Sequence, residues 1–346
     1  MMVVLGIDAH KKTHTVVAVD ETGRQLGCLT VTANGEGHLR AVKWAASWGE
    51  RRWAVEDCRH VSRRLEADLL TAGERLVRVP PKLMAQTRAS VRSPGKSDPI
   101  DALAVARAAL REPDLPAAQL DGPSRDVRLL VDHRERLIRE RTALCNRLRW
   151  NLHELDPDYQ PKSFSSRKAI EEVEGWLAGR EGLVAELSRE LVCRIAEITR
   201  RARELEEEIH RRVRDLAPSL LELPGCGALT AGKLIGEIGD PTRFRNRDAF
   251  AMFAGVAPIP VWSGTQEQFR LNRGGNRQVN AALHRIAITQ ARYHPPAQTL
   301  FAKHHQKRNN KKHAYRILKR RIADVVFRTL IHDTINQTRK DTPKAA

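Results

Sequence analysis

Three β-branched, apolar runs open the chain: Val3-Val4-Leu5-Gly6-Ile7, Thr15-Val16-Val17-Ala18-Val19 and Leu26 to Val31. Only the turn-prone stretches Lys11-Lys12-Thr13 and Glu21-Thr22-Gly23 separate them. Connections this short join antiparallel neighbours, so the spacing predicts a three-stranded meander. The pattern then changes to a helical stretch over 37–48, a strand Trp53-Ala54-Val55, a helix over 61–72, a strand Leu76 to Val79, and further helices. Strands that alternate with helices must pair in parallel on the same sheet.

A meander followed by two helix–strand units and a closing helix is the order of the ribonuclease H-like α/β fold, which is expected over residues 1–120. From 121 to 217 the sequence is charge-rich with apolar residues at helical spacing. Leu187, Leu191, Ile195, Ile198, Ala202, Leu205, Ile209 and Leu216 follow an approximate heptad. This reads as an antiparallel helical arm or coiled-coil dimerisation element, whose first helix has its seam interrupted by Arg134 and Arg141. Pro157, Pro161, Ser163, Ser165 and Ser166 mark the loop between its halves. A third, mainly helical segment, 218–346, is compositionally distinct, with nine of the 21 glycines and six of the 13 histidines, and ends in very basic helices.

The formal net charge of +18, with a pI near 10.2, points to a polyanionic partner, most simply nucleic acid. No apolar run approaches the length needed to span a bilayer, and no basic segment leads into an apolar stretch at the N-terminus. The expected location is the cytoplasm, on the nucleoid. Cys28, Cys58, Cys145, Cys193 and Cys226 are scattered, without a CxxC pair, and read as reduced packing thiols.

Chemistry enters with the acids. Asp8 ends the first strand, Glu56 directly follows the strand expected beside it, and Asp98 and Asp101 lie three apart at a helix start, on one face. Four carboxylates gathered from remote segments repel unless cations neutralise them. Their hard oxygen donors favour magnesium or manganese, the ions that assist phosphodiester exchange. Asp98 before Pro99 is equally a good helix N-cap, with Asp101 in a favourable first-turn position. His10 and Lys11 are near enough to approach the same place, although a lone histidine after a strand is more often structural.

A second centre lies in the third segment. Leu223-Pro224-Gly225-Cys226-Gly227 before an alanine-rich helix has the form of a helix-hairpin-helix turn, in which Gly225 and Gly227 would expose backbone N–H groups to a phosphate. A plain glycine turn between packed helices explains the same residues. Ser263, in Gly255-Val256-Ala257-Pro258-Ile259-Pro260-Val261-Trp262-Ser263-Gly264, sits on a constrained turn near Arg270, Arg273 and Arg277. A nucleophilic serine at a phosphodiester needs such positive charge, yet most Ser-Gly turns are structural. Lys303, Lys307, Arg308, Lys311, Lys312, Arg316, Lys319, Arg320 and Arg321 follow without an intervening acid and read as a nucleic-acid track that positions without specifying.

With these blocks in order, the chain resembles the DEDD-type insertion-sequence transposases that include the Piv-like DNA invertases. The resemblance rests on Gly6-Ile7-Asp8-Ala9-His10-Lys11, Val55-Glu56, Gly95-Lys96-Ser97-Asp98-Pro99-Ile100-Asp101-Ala102, Leu223 to Gly227, Glu237-Ile238-Gly239-Asp240, and Gly255 to Gly264. It departs at Asp57-Cys58-Arg59-His60, where many members carry small residues; Asp57 thereby becomes a candidate substitute ligand. The resemblance implies a RuvC-like domain holding Mg2+ or Mn2+ through Asp8, Glu56, Asp98 and Asp101, and a C-terminal domain whose Ser263 forms a covalent phosphoserine intermediate with DNA. It also implies a guide noncoding RNA pairing with donor and target DNA, and dimers that associate into tetramers. A metal-dependent nuclease on branched DNA and a catalytically silent nucleic-acid-binding protein are the competing readings.

Overall fold

The computed structural model describes residues 2–81, 83–84, 97–263, 266–308 and 310–341. The chain divides into two compact units, Met1–Asp121 and Gly122–Ala346.

In the first unit β1 (Val3–Ala9), β2 (Thr13–Val19) and β3 (Gln25–Thr32) form the expected antiparallel meander. Helix α1 (Gly35–Ala45) leads to β4 (Arg51–Glu56), and α2 (Arg59–Thr71) leads to β5 (Leu76–Val79). The sheet order is β3-β2-β1-β4-β5, with β1/β4 and β4/β5 parallel. This is the ribonuclease H-like arrangement, closed by α3 (Asp98–Arg111).

The pleat assigns the faces. Val3, Leu5 and Ile7 of β1, with Trp53 and Val55 of β4, share one core with Ala41, Ala45, Leu65 and Leu69 of α1 and α2. Val4 and Ala54 share the other with Ala102, Val105, Ala106 and Ala109 of α3. By the two-residue period, Gly6 and Asp8 follow Val4, and Glu56 follows Ala54, onto the α3 face. The small residues of α3 let the helix lie close to the sheet. Gly6 is required by that closeness: a Cβ there would stand 2.2 Å from Ala102 O and 2.4 Å from Ala106 N.

The second unit is built on two long helices, α4 (Pro123–Leu155) and α6 (Leu183–Leu216), with α5 (Arg167–Ala178) between them in sequence. Arg134 bonds Glu206, Arg141 bonds Thr199, and Arg194 bonds Glu140, so α4 and α6 run antiparallel. Arg134 and Arg141 do not break the packing, because their guanidinium groups also reach Ala202 O and Phe164 O. The buried stripe of α6 is Ala185, Ser188, Val192, Ile195, Ile198, Ala202, Leu205, Ile209 and Val213. It departs from the expected heptad at both ends. Leu187 is 46% exposed, and Leu191 and Leu216 are only half-buried. The 3–4 spacing carried back from Ile195 falls on Val192, Ser188 and Ala185, and Ser188 loses its polarity by donating Oγ to Val184 O at 2.7 Å.

Val127 and Val131 of α4 and Ile209 and Val213 of α6 belong to the same core as the C-terminal helices. The change in composition at Pro218 therefore lies inside one compact unit rather than between two. That core includes α8 (Ala228–Ile238), which follows the short α7 (Pro218–Leu221), as well as α9 (Arg247–Phe253) and α10 (Arg277–Tyr293). It also includes α11 (Pro295–Arg308) and α12 (Lys311–Asp341). Between α9 and α10, β6 (Ile259–Ser263) and β7 (Gln266–Arg270) form an antiparallel hairpin. Among the described residues no helix is long and apolar enough to cross a membrane.

Candidate active site

Asp8 and Glu56 end adjacent parallel strands: the register pairs Gly6 with Ala54 and Ile7 with Val55, and each acid lies just beyond. Helix α3 presents Asp98, Ala102 and Ala106 at i, i+4 and i+8, the same face that lies against Gly6. Asp98 therefore reaches the end of β1. Its carboxylate gathers with the carboxylate of Asp8 and the imidazole of His10, the three ligand-capable atoms lying within 4.8 Å of one another. His10 Nε2 donates to Asp8 Oδ2 at 2.9 Å and stands 3.5 Å from Asp98 Oδ1.

Asp8 and Asp101 are buried, whereas Asp98 is half exposed. Burial raises the Asp8 carboxyl above its usual 3.8, His10 opposes the rise, and the charges of Asp101 and Asp98 add to it. Glu56 shares the same field: burial, then the charges of Glu56, Glu66 and Asp8, push the Cys58 thiol up to about 11. The N-cap of α3 is Ser97, which makes no side-chain capping bond, and Asp98 already lies within the helix. Capping therefore does not account for Asp98. Asp57, which is exposed, lies outside the three-residue cluster, and so do Glu56 and Asp101. His10 is the residue that sequence reasoning undervalued; its two-residue offset from Asp8 was the available signal.

Among the described residues His10 is the one ion-pair partner of Asp8 and Asp98. A buried carboxylate crowded by two others and served only by a titratable imidazole fits a hard divalent cation. Asp8 and Asp98 would hold it, with His10, Asp101 and Glu56 adjoining.

In the second unit, the Leu223–Gly227 stretch is a tight turn whose Gly225 has φ +82°. A Cβ on Gly225 would meet Thr289 Cβ at 2.9 Å, and Gln290 Nε2 donates to Pro224 O at 2.8 Å, so the turn is packed onto α10. Cys226 is buried within it and its thiol is pushed up to about 12 by that burial. Gly227 has open space around it and precedes α8.

Ser263 is the last residue of β6, in register with Gln266. Its side chain, Gly264, Thr265, Gly95 and Lys96 lie outside what the structure describes. The base of this hairpin is pinned by a motif that the sequence analysis passed over, Asn272-Arg273-Gly274-Gly275-Asn276. Gly255 (φ +65°) and Gly275 (φ +82°) approach so closely that a Cβ on Gly275 would stand 2.5 Å from Gly255 N. Asn276 caps α10 and donates to Glu237 Oε2 at 2.7 Å. Asn280 Nδ2 donates to Ala254 O and Gly255 O, both at 3.0 Å, while its Oδ1 accepts from Lys319 Nζ at 2.9 Å.

A cleft of about 610 Å³ opens beside that base, between 255–258, the end of β7 and α12. Arg270, Arg316, Lys319, Arg320, Arg321 and His313 line it, and among the described residues no acid does. Lys319 and Arg320 serve structure there as well: Lys319 holds Asn280, and Arg320 pairs with Asp248 at 2.5 Å and with Asp324. Burial, with the neighbouring Arg316 charge, lowers the Lys319 ammonium. Arg273, Arg277, Lys311 and Lys312 are exposed.

Comparison with known proteins bears on both units. A family model described as an IS110 DEDD transposase matches residues 5–157, and one described as "Transposase IS116/IS110/IS902 family" matches 217–302. An uncharacterized 44.8 kDa protein of insertion element IS116 from Streptomyces clavuligerus is 28% identical over 309 residues, covering 75% of this chain and 77% of its own. An uncharacterized 42 kDa protein of IS900 from Mycobacterium paratuberculosis is 24% identical, covering 90% and 91%. The transposase of IS1111A from Coxiella burnetii is 29% identical, covering 57% and 54%. Thermus thermophilus RuvC, solved with a Holliday junction, matches 34% of this chain and all of its own, at 18% identity and a TM-score of 0.28.

Proposed function

Since the chain belongs to the IS110/IS116 family of DEDD transposases, enzymes that cut and rejoin DNA, we propose that it does so through a covalent link between Ser263 and DNA, with Asp8, Glu56, Asp98 and Asp101 as its metal centre. In this reading the Ser263 oxygen attacks the scissile phosphorus, and an O–P bond forms as the bond to a sugar oxygen breaks. The serine proton leaves to a base and the departing sugar oxygen is protonated. The serine ester conserves the phosphodiester energy, and attack by the sugar hydroxyl of another strand reverses the step and rejoins DNA. A bound magnesium or manganese ion would supply Lewis-acid stabilisation of charge on the phosphodiester oxygens. Asp8 and Asp98 hold that ion's place, and His10 keeps the Asp8 carboxylate oriented by its 2.9 Å hydrogen bond.

The observation that carries the reading is the convergence of Asp8, His10 and Asp98 where α3 meets the end of β1. The remaining roles follow from charge and exposure. Arg270, Arg273, Arg277, Lys311, Lys312 and Arg316 grip the backbones of donor and target DNA and of an element-encoded guide RNA, beside a cleft whose wall Lys319 and Arg320 complete. Gly225 and Gly227 form a helix-hairpin-helix turn, with Gly227 nearest to a phosphate. The antiparallel α4/α6 arm joins protomers into a coiled-coil dimer, and dimers associate into tetramers, acting in the cytoplasm on the nucleoid.

The test is the joined junction of an excised circle, amplified from cells that carry the intact element. Wild type yields junctions, while Ser263→Ala and Asp101→Ala yield none. Junctions that survive Ser263→Ala would replace the serine reading with a purely metal-dependent nuclease.

A further inference from the structure

The β6–β7 hairpin carries two large aromatic side chains in water: Trp262 is 67% exposed and Phe269 is 62% exposed. The register places them together. Pro260 faces Phe269 and Trp262 faces Glu267, so Trp262 and Phe269 are diagonal neighbours on one face of the ladder. Exposed aromatics grouped on one face of a hairpin mark a contact surface.

Charge says what the surface contacts. Phe269 also lines the basic cleft of about 610 Å³, where Arg270, Arg316 and Arg321 make no ion pair among the described residues. From 218 to 346 the sequence has 22 Lys and Arg against 8 Asp and Glu. An apolar partner protein would gain nothing from that cationic border. A strand with flat bases and regularly spaced phosphates satisfies both halves.

We propose that this hairpin grips single-stranded nucleic acid, with Trp262 and Phe269 stacking two successive bases and Arg270, Arg316 and Arg321 taking the phosphates in the cleft. The spacing argues for an unstacked strand. Diagonal cross-strand residues stand roughly 7–8 Å apart, about twice the 3.4 Å rise per nucleotide of a duplex strand. Rings at that interval match bases that have left the helical stack, and the base faces of an intact duplex are closed to them. The close Gly255–Gly275 approach and the Asn280 bonds hold the hairpin's base against the cleft, so platform and phosphate site keep one geometry. The inference rests on the reading of Ser263, the residue after Trp262, as the centre that cuts DNA: it places a melted strand at the cut.

Full-length protein is titrated with fluorescein-labelled 12-mers of oligo-dT, oligo-rU and mixed-sequence duplex, for wild type, Trp262→Leu, Phe269→Leu and the double variant. Each leucine should weaken single-strand binding by on the order of tenfold, the double by about the product, with duplex affinity within roughly twofold and Trp262→Phe retaining most of the binding. Because the proposal places a melted DNA strand at the cut, oligo-dT should bind at least as tightly as oligo-rU; clearly tighter oligo-rU binding would overturn it by assigning the platform to RNA. Parallel loss of single-strand and duplex binding, or no loss of either, overturns it. So does a drop in oligomer size on gel filtration of the leucine variants, which would assign the patch to contact between copies. Ser263→Ala keeps the platform and hence the single-strand affinity even if the serine chemistry is wrong, so the two readings fail separately.

Discussion

Gly6→Ala tests how the acidic site is assembled. The added methyl would stand 2.2 Å from Ala102 O, 2.4 Å from Ala106 N and 2.7 Å from Ala106 Cβ. Two of these atoms are backbone, so no side-chain rotation relieves the clash. Restoring ordinary contact requires α3 to retreat from β1 by about 1 Å. Overpacking of this kind costs about 2–3 kcal/mol, which in a unit of this size lowers Tm by about 10 °C. The functional loss is larger, because α3 carries Asp98 and Asp101 while β1 carries Asp8. A displacement of about 1 Å at a reacting centre costs on the order of 100-fold in rate. Differential scanning calorimetry and junction yield from the excised circle read the two effects. Gly49, with nothing within 4 Å of its would-be Cβ, supplies the control. A Gly6→Ala protein with wild-type Tm and wild-type junction yield would refute the account of how α3 is seated.

His14 is buried, and burial, followed by the charges of His38 and His10, lowers its imidazole to about 4. The unfolded chain, titrating near 6.5, binds the proton that the folded state refuses, so stability rises with pH across about 4 to 6.5. Acidification through that window should cost about 3 kcal/mol, partly offset by the raised Asp8 carboxyl. Urea titrations at pH 7 and pH 4.5 should show the loss, and His14→Gln should flatten it. Asn280→Ala removes both donors to Ala254 O and Gly255 O and the acceptor of Lys319. It should cost about 1–3 kcal/mol and reduce junction yield while leaving Asp8-centred metal affinity, measured by calorimetry, unchanged.

The first unit was legible because its signals are local. Short turns dictate the meander, and the two-residue pleat dictates which of Asp8, Ile7 and Gly6 faces α3. The convergence of Asp8 with Asp98 followed from fold order, but the place of His10 did not, because it depends on where a residue beyond a strand end turns. The arm was legible as a helix pair and misread in its details. Ser188 occupies a buried position that a search for apolar residues skips, and Leu187 looks like core while facing water. Arg134 and Arg141 read as interruptions because sequence does not reveal the carbonyls that receive them. In the last segment Lys319 and Arg320 looked identical to their exposed neighbours, and only packing against Asn280, Asp248 and Asp324 separates them. The glycine pair 255 and 275 carries no sequence signal of its partnership, since the two lie 20 positions apart and are brought together by the closure of the β6–β7 hairpin between them.

The most direct measurement of the central claim is a search for DNA linked to Ser263. Purified protein with guide RNA and a nicked donor duplex, whose cleaved fragment diffuses away, is denatured, digested and analysed by mass spectrometry. The account predicts a nucleotide-bearing peptide spanning Ser263, absent from Ser263→Ala and strongly reduced in Asp101→Asn. Junction formation without any protein-linked nucleotide, or with the nucleotide on another residue, would contradict it.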